Sequence, residues 1–223
     1  MDGRGPRPEP PRRRSGDVSS GLVRPWGKRA AKDRTDSPTR TAILDAAETL
    51  FTLHGYARTT MAHIADEASV SRATTYVYFA SRADVFRALA RRVRDEIAEV
   101  QRTAAASREP HEIIESSIRA GLQVYAAKSR FLTVLAHQAL ADDDMRGLAE
   151  EIHGDSIDVN ARFIALLQQR RQADPAASPH AVAHAVNAIM LRFSMDAADD
   201  PAELDRLASD TVAMYCRLVG LER

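Results

Sequence analysis

The chain has 223 residues, which is room for one large domain or two small ones. Hydrophobic residues make up 44% of the sequence and aromatic residues only 5%, a balance that favours helices packed through small side chains over a β-sandwich. Lysine plus arginine equal aspartate plus glutamate at 31 each, which excludes a uniformly basic nucleic-acid coat, so any DNA-binding surface must be local.

Three absences narrow the class of protein further. The single cysteine, Cys216, has no partner for an internal disulfide or a zinc cluster. No run approaches the length of apolar sequence that spans a membrane. The arginine-rich N-terminus lacks the apolar segment of a secretory signal. We therefore expect a cytoplasmic protein with no membrane association and no cofactor.

Residues 1–36 are predicted to be a disordered basic tail. They hold ten basic and five acidic residues, and prolines with the run Arg12-Arg13-Arg14 take the place of apolar periodicity. Such a segment cannot bury enough surface to offset its ordering entropy. It could lie along DNA phosphates. The favoured interpretation is a solvated extension or a start codon placed too early, because runs of like charge are usually solvated.

From Ser37 onward the sequence predicts an all-α fold. Ser37 is a helix cap with Pro38 at the first helical position, and Gly55 ends that helix. Three short helical segments follow within about thirty residues, and long amphipathic helices continue from there. The long helices are expected at about 111–127, 129–141, 144–171, 179–197 and 201–219.

Residues 59–79 have the spacing of a helix-turn-helix. Thr60 can cap a short supporting helix, residues 69–71 form a tight turn, and Ser71 caps a second helix that starts at Arg72. Arginine and hydroxyl side chains crowd onto this second helix. Arginine suits a guanine edge, and hydroxyls suit phosphate oxygens. The alternative is an ordinary helical hairpin whose hydroxyls are simply exposed.

A series of landmarks runs through about residues 38–88. They are Arg40-Thr41-Ala42-Ile43-Leu44-Asp45-Ala46-Ala47, Leu50-Phe51, Gly55-Tyr56, Thr59-Thr60, Ile64-Ala65, Val70-Ser71 and Tyr76-x-Tyr78-Phe79. This series resembles the DNA-binding domain of the TetR family of bacterial transcriptional repressors. The rest of the chain is similar to that family only in architecture.

The resemblance implies an N-terminal three-helix domain with a helix-turn-helix over residues 37–88. It implies a C-terminal helical bundle for ligand binding and dimerisation over residues 89–223. Family members bind palindromic operators as homodimers and are released by a small-molecule effector. By position, bases would be read by Arg72, Ala73 and Tyr76, the DNA backbone would be held by Thr60, His63, Thr74, Tyr78 and Arg82, and Ser71 completes the set.

Four positions depart from the family pattern. Ser69 replaces a common glycine, and it would cost about 1 kcal/mol if the turn needs a positive φ. Thr75 stands where a larger apolar residue usually packs, which predicts weaker local packing. Val77 could meet a thymine methyl group, and Arg82 keeps the charge of a usual lysine. These departures leave the operator sequence open.

The C-terminal half suggests two further sites. The last two helices carry wide apolar stripes, which favour an isologous dimer through about 180–218 over packing within one subunit alone. An effector pocket is expected between about 100 and 195. Its candidate lining residues are Tyr125, Phe131, Leu135, Gln138, Phe163 and Met190, with His137 and Asn160 as polar options. Ordinary core packing is the stronger interpretation for any one of the apolar candidates.

Other functions find less support in the sequence. Glu150 with His153, and His180 with His184, lie one helical turn apart, but a di-iron bundle needs more ligands, so solvated histidines and no metal site are favoured. A helical-bundle enzyme lacks a recognisable set of acid, base and nucleophile. A DNA-binding protein without a ligand response remains an alternative.

Overall fold

The computed structural model describes residues 37–104 and 109–221, and each regular element in this part of the chain is an α-helix. The predicted tail over residues 1–36 lies outside the described residues. None of the described helices is long and apolar enough to cross a membrane. The helices are α1 (Pro38–His54), α2 (Met61–Glu67), α3 (Arg72–Tyr78), α4 (Arg82–Ala104), α5 (Pro110–Ala139), α6 (Asp143–Gln169), α7 (Pro179–Asp196) and α8 (Pro201–Val219).

The predicted bounds of three helices were wrong. The expected break near residue 128 does not exist, because Ser129 is buried inside α5 and its hydroxyl donates to the Ala126 carbonyl at 2.9 Å. The third short segment is instead the 23-residue helix α4. Its apolar stripe, from Val85 to Ile97, packs against both halves of the chain. Helix α4 runs through residue 88 unbroken, so the proposed domain boundary there lies within a helix.

An aromatic cluster joins the N-terminal helices to the rest of the molecule. The fully buried ring of Phe86 on α4 lies 5.0 Å from Phe51, 5.1 Å from Tyr56 and 5.1 Å from Phe131, measured between ring centroids. Burial of one such ring contributes about 1.5–3 kcal/mol. The N-terminal helices are thereby packed on α4 and on α5.

A second apolar core fills the space between α5, α6, α7 and α8. Its fully or almost fully buried side chains include Leu122, Ile164, Val186 and Val219. Asp142, Ser178 and Asp200 cap the last three helices through their side chains. The first core packs the N-terminal helices against α4 and α5. The second core holds α5, α6, α7 and α8 together as a four-helix bundle.

Candidate nucleic-acid interface and interior cavity

Helix α2 is a short supporting helix that is held by its N-cap and by a buried inner face. The side chain of Thr60 caps it by accepting the backbone N–H of His63 at 3.2 Å. Met61, Ile64 and Ala65 are buried on its inner face. His63 and Thr60 themselves are exposed. The helix therefore presents two polar side chains outward from a rigid base.

The turn between α2 and α3 contains Ser69, which replaces a glycine common in the TetR pattern. Ser69 has a φ of 54°, in the left-handed region that favours glycine, so serine there costs about 1 kcal/mol relative to glycine. The Val70 N–H donates to the Ala65 carbonyl at 3.0 Å, and the Val70 side chain packs on the first core. The corner is thus closed in spite of the serine.

Helix α3 is held by its cap and by its inner face. Ser71 accepts the N–H of Thr74 at 3.0 Å. Thr75 is fully buried, and its hydroxyl donates to the Ser71 carbonyl at 3.3 Å. Threonine satisfies its own hydroxyl in this way, so a polar side chain is accommodated in the core. Phe79 at the end of the helix is buried, with the Arg40 guanidinium 5.3 Å from its ring centroid.

The outer face of α3 points into solvent. Tyr76 is 56% exposed and Val77 58% exposed, and Arg72 and Ala73 are exposed beside them. The base-reading positions predicted from the sequence therefore share one accessible surface on a well-anchored helix.

Two predicted backbone contacts have partners inside the protein. Arg82 donates through Nη1 to the carbonyls of Ala57 and Thr59, at 3.1 and 2.8 Å, and its guanidinium lies 4.2 Å from the Tyr56 ring centroid. The Tyr78 hydroxyl accepts a hydrogen bond from Ser37 Oγ at 3.0 Å. Both side chains stabilise the domain, and a phosphate contact by Arg82 would use its other N–H groups.

A charge network links the N-terminal helices to the bundle. Glu48 on α1 accepts from Arg92 on α4 at 2.6 Å and from Lys128 on α5 at 2.9 Å. Lys128 also pairs with Glu96 at 3.2 Å. Burial lowers the pKa of Lys128, but the two glutamates more than offset this effect, so its pKa is raised above the ordinary value. The network fixes α1 relative to α5 while the ammonium stays charged.

The bundle contains a cavity of about 140 Å³ that is lined by residues of α4, α5, α6, α7 and α8. Its walls are mainly aliphatic. Two buried tyrosines reach it, and each is paired with an asparagine: Asn187 donates to the Tyr125 hydroxyl at 3.1 Å, and the Tyr215 hydroxyl donates to Asn160. Burial raises the pKa of both tyrosines, so both remain neutral phenols.

Comparison with known proteins identifies the architecture. Residues 43–89 match the model of a family described as bacterial regulatory proteins, tetR family. The chain is 32% identical over 135 residues to the HTH-type transcriptional repressor BepR of Brucella suis biovar 1 (strain 1330). That match covers 58% of this chain and 65% of BepR, just under two thirds of its length.

The N-terminal helices thus resemble the DNA-binding domain of the TetR family. The fold of the chain is also that of solved TetR-like regulators. A TetR-like transcriptional regulator from Rhodococcus sp. RHA1 aligns with a TM-score of 0.66 at 20% identity, over 80% of this chain and 94% of that one. SmeT, the repressor of the Stenotrophomonas maltophilia multidrug efflux pump SmeDEF, aligns at 0.64 and 24% identity, over 82% and 91%. A SmeT–triclosan complex aligns equally well, with a TM-score of 0.64.

The cavity contains only some of the residues singled out from the sequence. Tyr125, Phe163 and Met190 line it, as does Asn160. Phe131 and Leu135 are buried in the first core instead, because their turns of α5 lie beside α4. Gln138 and His137, at the end of α5, do not line the cavity.

Several residues that line the cavity were not predicted from the sequence. Asn187 and Tyr215 were not singled out, although each is a polar group set into an apolar stripe of α7 or α8. Ile97 and Val100 were missed because α4 was expected to be short. A polar residue inside an otherwise apolar helical stripe was the available signal.

The histidine pairs do not gather further ligands. His180 and His184 are exposed, with ring centroids 6.4 Å apart. His153 is half-buried, and its Nδ1 has no hydrogen-bond partner in the part of the chain that the structure describes. No group of three or more His, Cys, Asp or Glu residues among those described could hold a metal ion.

Proposed function

We propose that this protein is a transcriptional repressor of the TetR family that binds a palindromic operator as a homodimer and is released by a small-molecule effector. The observation that carries the proposal is the exposed face of α3, where Arg72 and Tyr76 project from a helix held by Ser71, Thr75 and Phe79. A rigid helix with polar side chains on its outer face suits the major groove. The similarity to the repressor BepR supports repression as the sign of regulation.

The assigned roles follow from exposure. Arg72 is exposed and can present its guanidinium to a guanine. Tyr76 and Ala73 accompany it as base-facing side chains, with Ser71 at the helix start. Thr60, His63 and Thr74 are the proposed phosphate contacts, because they flank that face on α2 and α3.

The outer faces of α7 and α8 support the dimer. These neighbouring helices expose small side chains, among them Ala181, Ala185 and Ala213, together with Met195, which is 50% exposed. Small residues let helices of two subunits approach closely. Two-fold symmetry would place two copies of α3 on successive major grooves of one DNA face.

The dimer surface is tested by adding a charge. Ala185→Glu should shift the protein to monomer in sedimentation velocity, because a carboxylate would be buried at the subunit contact. Ala136→Glu, at an exposed position of α5, is the matched control and should leave the oligomeric state unchanged. A monomeric wild-type protein would overturn the dimer.

The interior cavity supports the response to a ligand. It lies among α4 to α8, and α4 continues directly into the N-terminal helices. A ligand that changes the position of α4 would therefore change the position of α3. The existence of a SmeT–triclosan complex is consistent with small-molecule binding in this fold.

A fluorescence-anisotropy titration tests the function. The protein is titrated into labelled DNA from upstream of its own gene and into a scrambled duplex of the same composition, at one fixed salt concentration. The repressor should prefer the upstream DNA by about a thousandfold or more. Equal binding to both duplexes would favour a ligand-independent architectural protein. Absence of binding to either would reopen the enzyme alternative.

A further inference from the structure

The walls of the cavity carry no formal charge among the residues that the structure describes. Aliphatic side chains from α4 and α5, such as Ile97 and Ile118, face Phe163 of α6 and Met190 of α7. An ion placed here would lose its hydration without gaining a counter-charge, and that loss is far larger than for a neutral polar group.

Four polar side chains in the wall form two hydrogen-bonded pairs. Asn187 donates to Tyr125, and Tyr215 donates to Asn160. Since burial raises the pKa of both phenols, neither offers a phenolate to a cation at neutral pH. What remains for a ligand is a small number of neutral donors and acceptors at these two tyrosine–asparagine pairs and at the hydroxyls of Ser117 and Ser156.

The size of the cavity limits the ligand as well. Its volume is about 140 Å³, and an apolar cavity of roughly 150 Å³ holds one benzene molecule. Gly121 sets one boundary, because a Cβ at this position would lie 2.7 Å from the terminal methyl of Met190. Because residue 121 is glycine, the Met190 side chain can lie against α5, and the cavity beside it stays open.

We propose that the effector, whose regulatory role rests on the proposed function above, is an uncharged and mainly apolar molecule of about one substituted ring. It carries a single hydrogen-bonding group, such as a phenolic hydroxyl, that meets one of the two tyrosine–asparagine pairs. Anionic and cationic compounds of the same size are excluded by the lack of a counter-charge.

Isothermal titration calorimetry with four ring compounds of matched size tests this assignment. The probes are p-cresol, toluene, benzoate and benzylammonium, each titrated into the full-length protein at neutral pH. p-Cresol and toluene should bind, p-cresol at least as tightly as toluene, and each charged probe should bind at least about tenfold more weakly. Benzoate or benzylammonium binding as tightly as p-cresol would overturn the proposal, as would failure of both neutral probes to bind.

A pair of glycine variants locates the binding. Gly121→Ala should weaken p-cresol binding about tenfold, because the added methyl group pushes Met190 into the cavity. Gly154→Ala is the matched control, since a Cβ on this α6 glycine meets nothing within 4 Å, and its affinity should equal that of the wild type. Equal affinities for all three proteins would place the probe elsewhere and overturn the assignment.

DNA binding keeps this test separate from the proposed function. The wild-type protein is titrated into its upstream DNA with and without p-cresol. Specific DNA binding together with no p-cresol binding contradicts the ligand class alone. Binding of p-cresol by a protein that does not bind DNA contradicts the regulatory function and leaves the cavity chemistry in place.

Discussion

The helices α1 to α3 carry their proposed functional side chains on the outside, whereas the bundle of α5 to α8 carries its own on the inside. Around α3 the core is closed by Phe51, Phe86 and Thr75, and Tyr76 stands exposed above it. In the bundle a partly open cavity is left between the helices. Recognition of a rigid duplex needs fixed side chains, whereas binding of a small molecule needs room, and one chain builds both by packing its two cores differently.

The largest expected effect is on the free energy of unfolding, and it tests the difference in packing between the two cores. Phe86→Ala should lower the free energy of unfolding by about 3–5 kcal/mol, because it removes a ring from a fully packed core. Phe163→Ala should cost clearly less, because Phe163 is half-buried and already faces open space. Urea unfolding followed by circular dichroism measures both. Equal losses would mean that the two cores are packed alike.

DNA recognition should depend on the N-terminal helices and not on the bundle. Arg72→Ala should weaken operator binding by about 1–3 kcal/mol and relax the preference at one base pair. Arg162→Ala, which removes an exposed arginine from α6, should leave operator affinity unchanged. Anisotropy titrations with single base-pair variants of the operator provide the measurement. A loss of equal size on operator and scrambled DNA would take Arg72 out of the base-reading role.

The charge network between the two regions should contribute an intermediate amount. Lys128→Met removes one of the two cations, Lys128 and Arg92, that Glu48 and Glu96 share. The loss should cost about 1–2 kcal/mol because the Lys128 side chain is only 17% exposed. Arg130→Met removes an arginine that is 65% exposed and paired with Asp199 on the surface, so it should cost little. Thermal unfolding compares the two variants.

The difference in stability between the wild type and Lys128→Met should depend on pH with a definite sign. Because the folded pKa of Lys128 is raised above its ordinary 10.5, its contribution is complete below that value and is lost as the pH rises through the folded pKa. The stability gap between wild type and Lys128→Met should therefore narrow in strongly alkaline buffer. A gap that widens there would contradict the network.

The smallest effect concerns His153 in the bundle. Burial lowers its pKa below the ordinary 6.5, so the unfolded chain takes up the proton first and stability falls as the pH drops below about 6.5. His153→Gln should reduce this acid sensitivity, whereas His184→Gln, at an exposed position, should leave it unchanged. Unfolding free energies at neutral and mildly acidic pH provide the comparison.

The N-terminal region was the more predictable of the two. Caps such as Ser37, Thr60 and Ser71 are local signals, and each accepts the backbone N–H that its position implies. The exposed face of α3 follows from helical periodicity once its start is known. What the sequence concealed there is tertiary, namely the bonds of Arg82 to the carbonyls of Ala57 and Thr59.

The bundle was predictable only in outline. The ranges of α7 and α8 follow from Pro179, Pro201 and their caps. The predicted split of α5 was wrong, because a buried serine inside a helix looks like a break in the sequence. The predicted short α4 was also wrong, because a highly charged helix looks like a surface segment. Which side chains line the cavity depends on how helices lie beside one another, and helical period alone does not specify this for Phe131 or Asn187.

The most direct test of the account is the binding of wild-type protein and Arg72→Ala to the upstream operator and to a scrambled duplex, at the same salt concentration. The account predicts that the wild type strongly prefers the operator and that Arg72→Ala loses about 1–3 kcal/mol of this preference while it keeps its weak binding to the scrambled duplex. A wild-type protein with no preference, or a variant that retains the full preference, would contradict the assignment of α3 as the recognition helix.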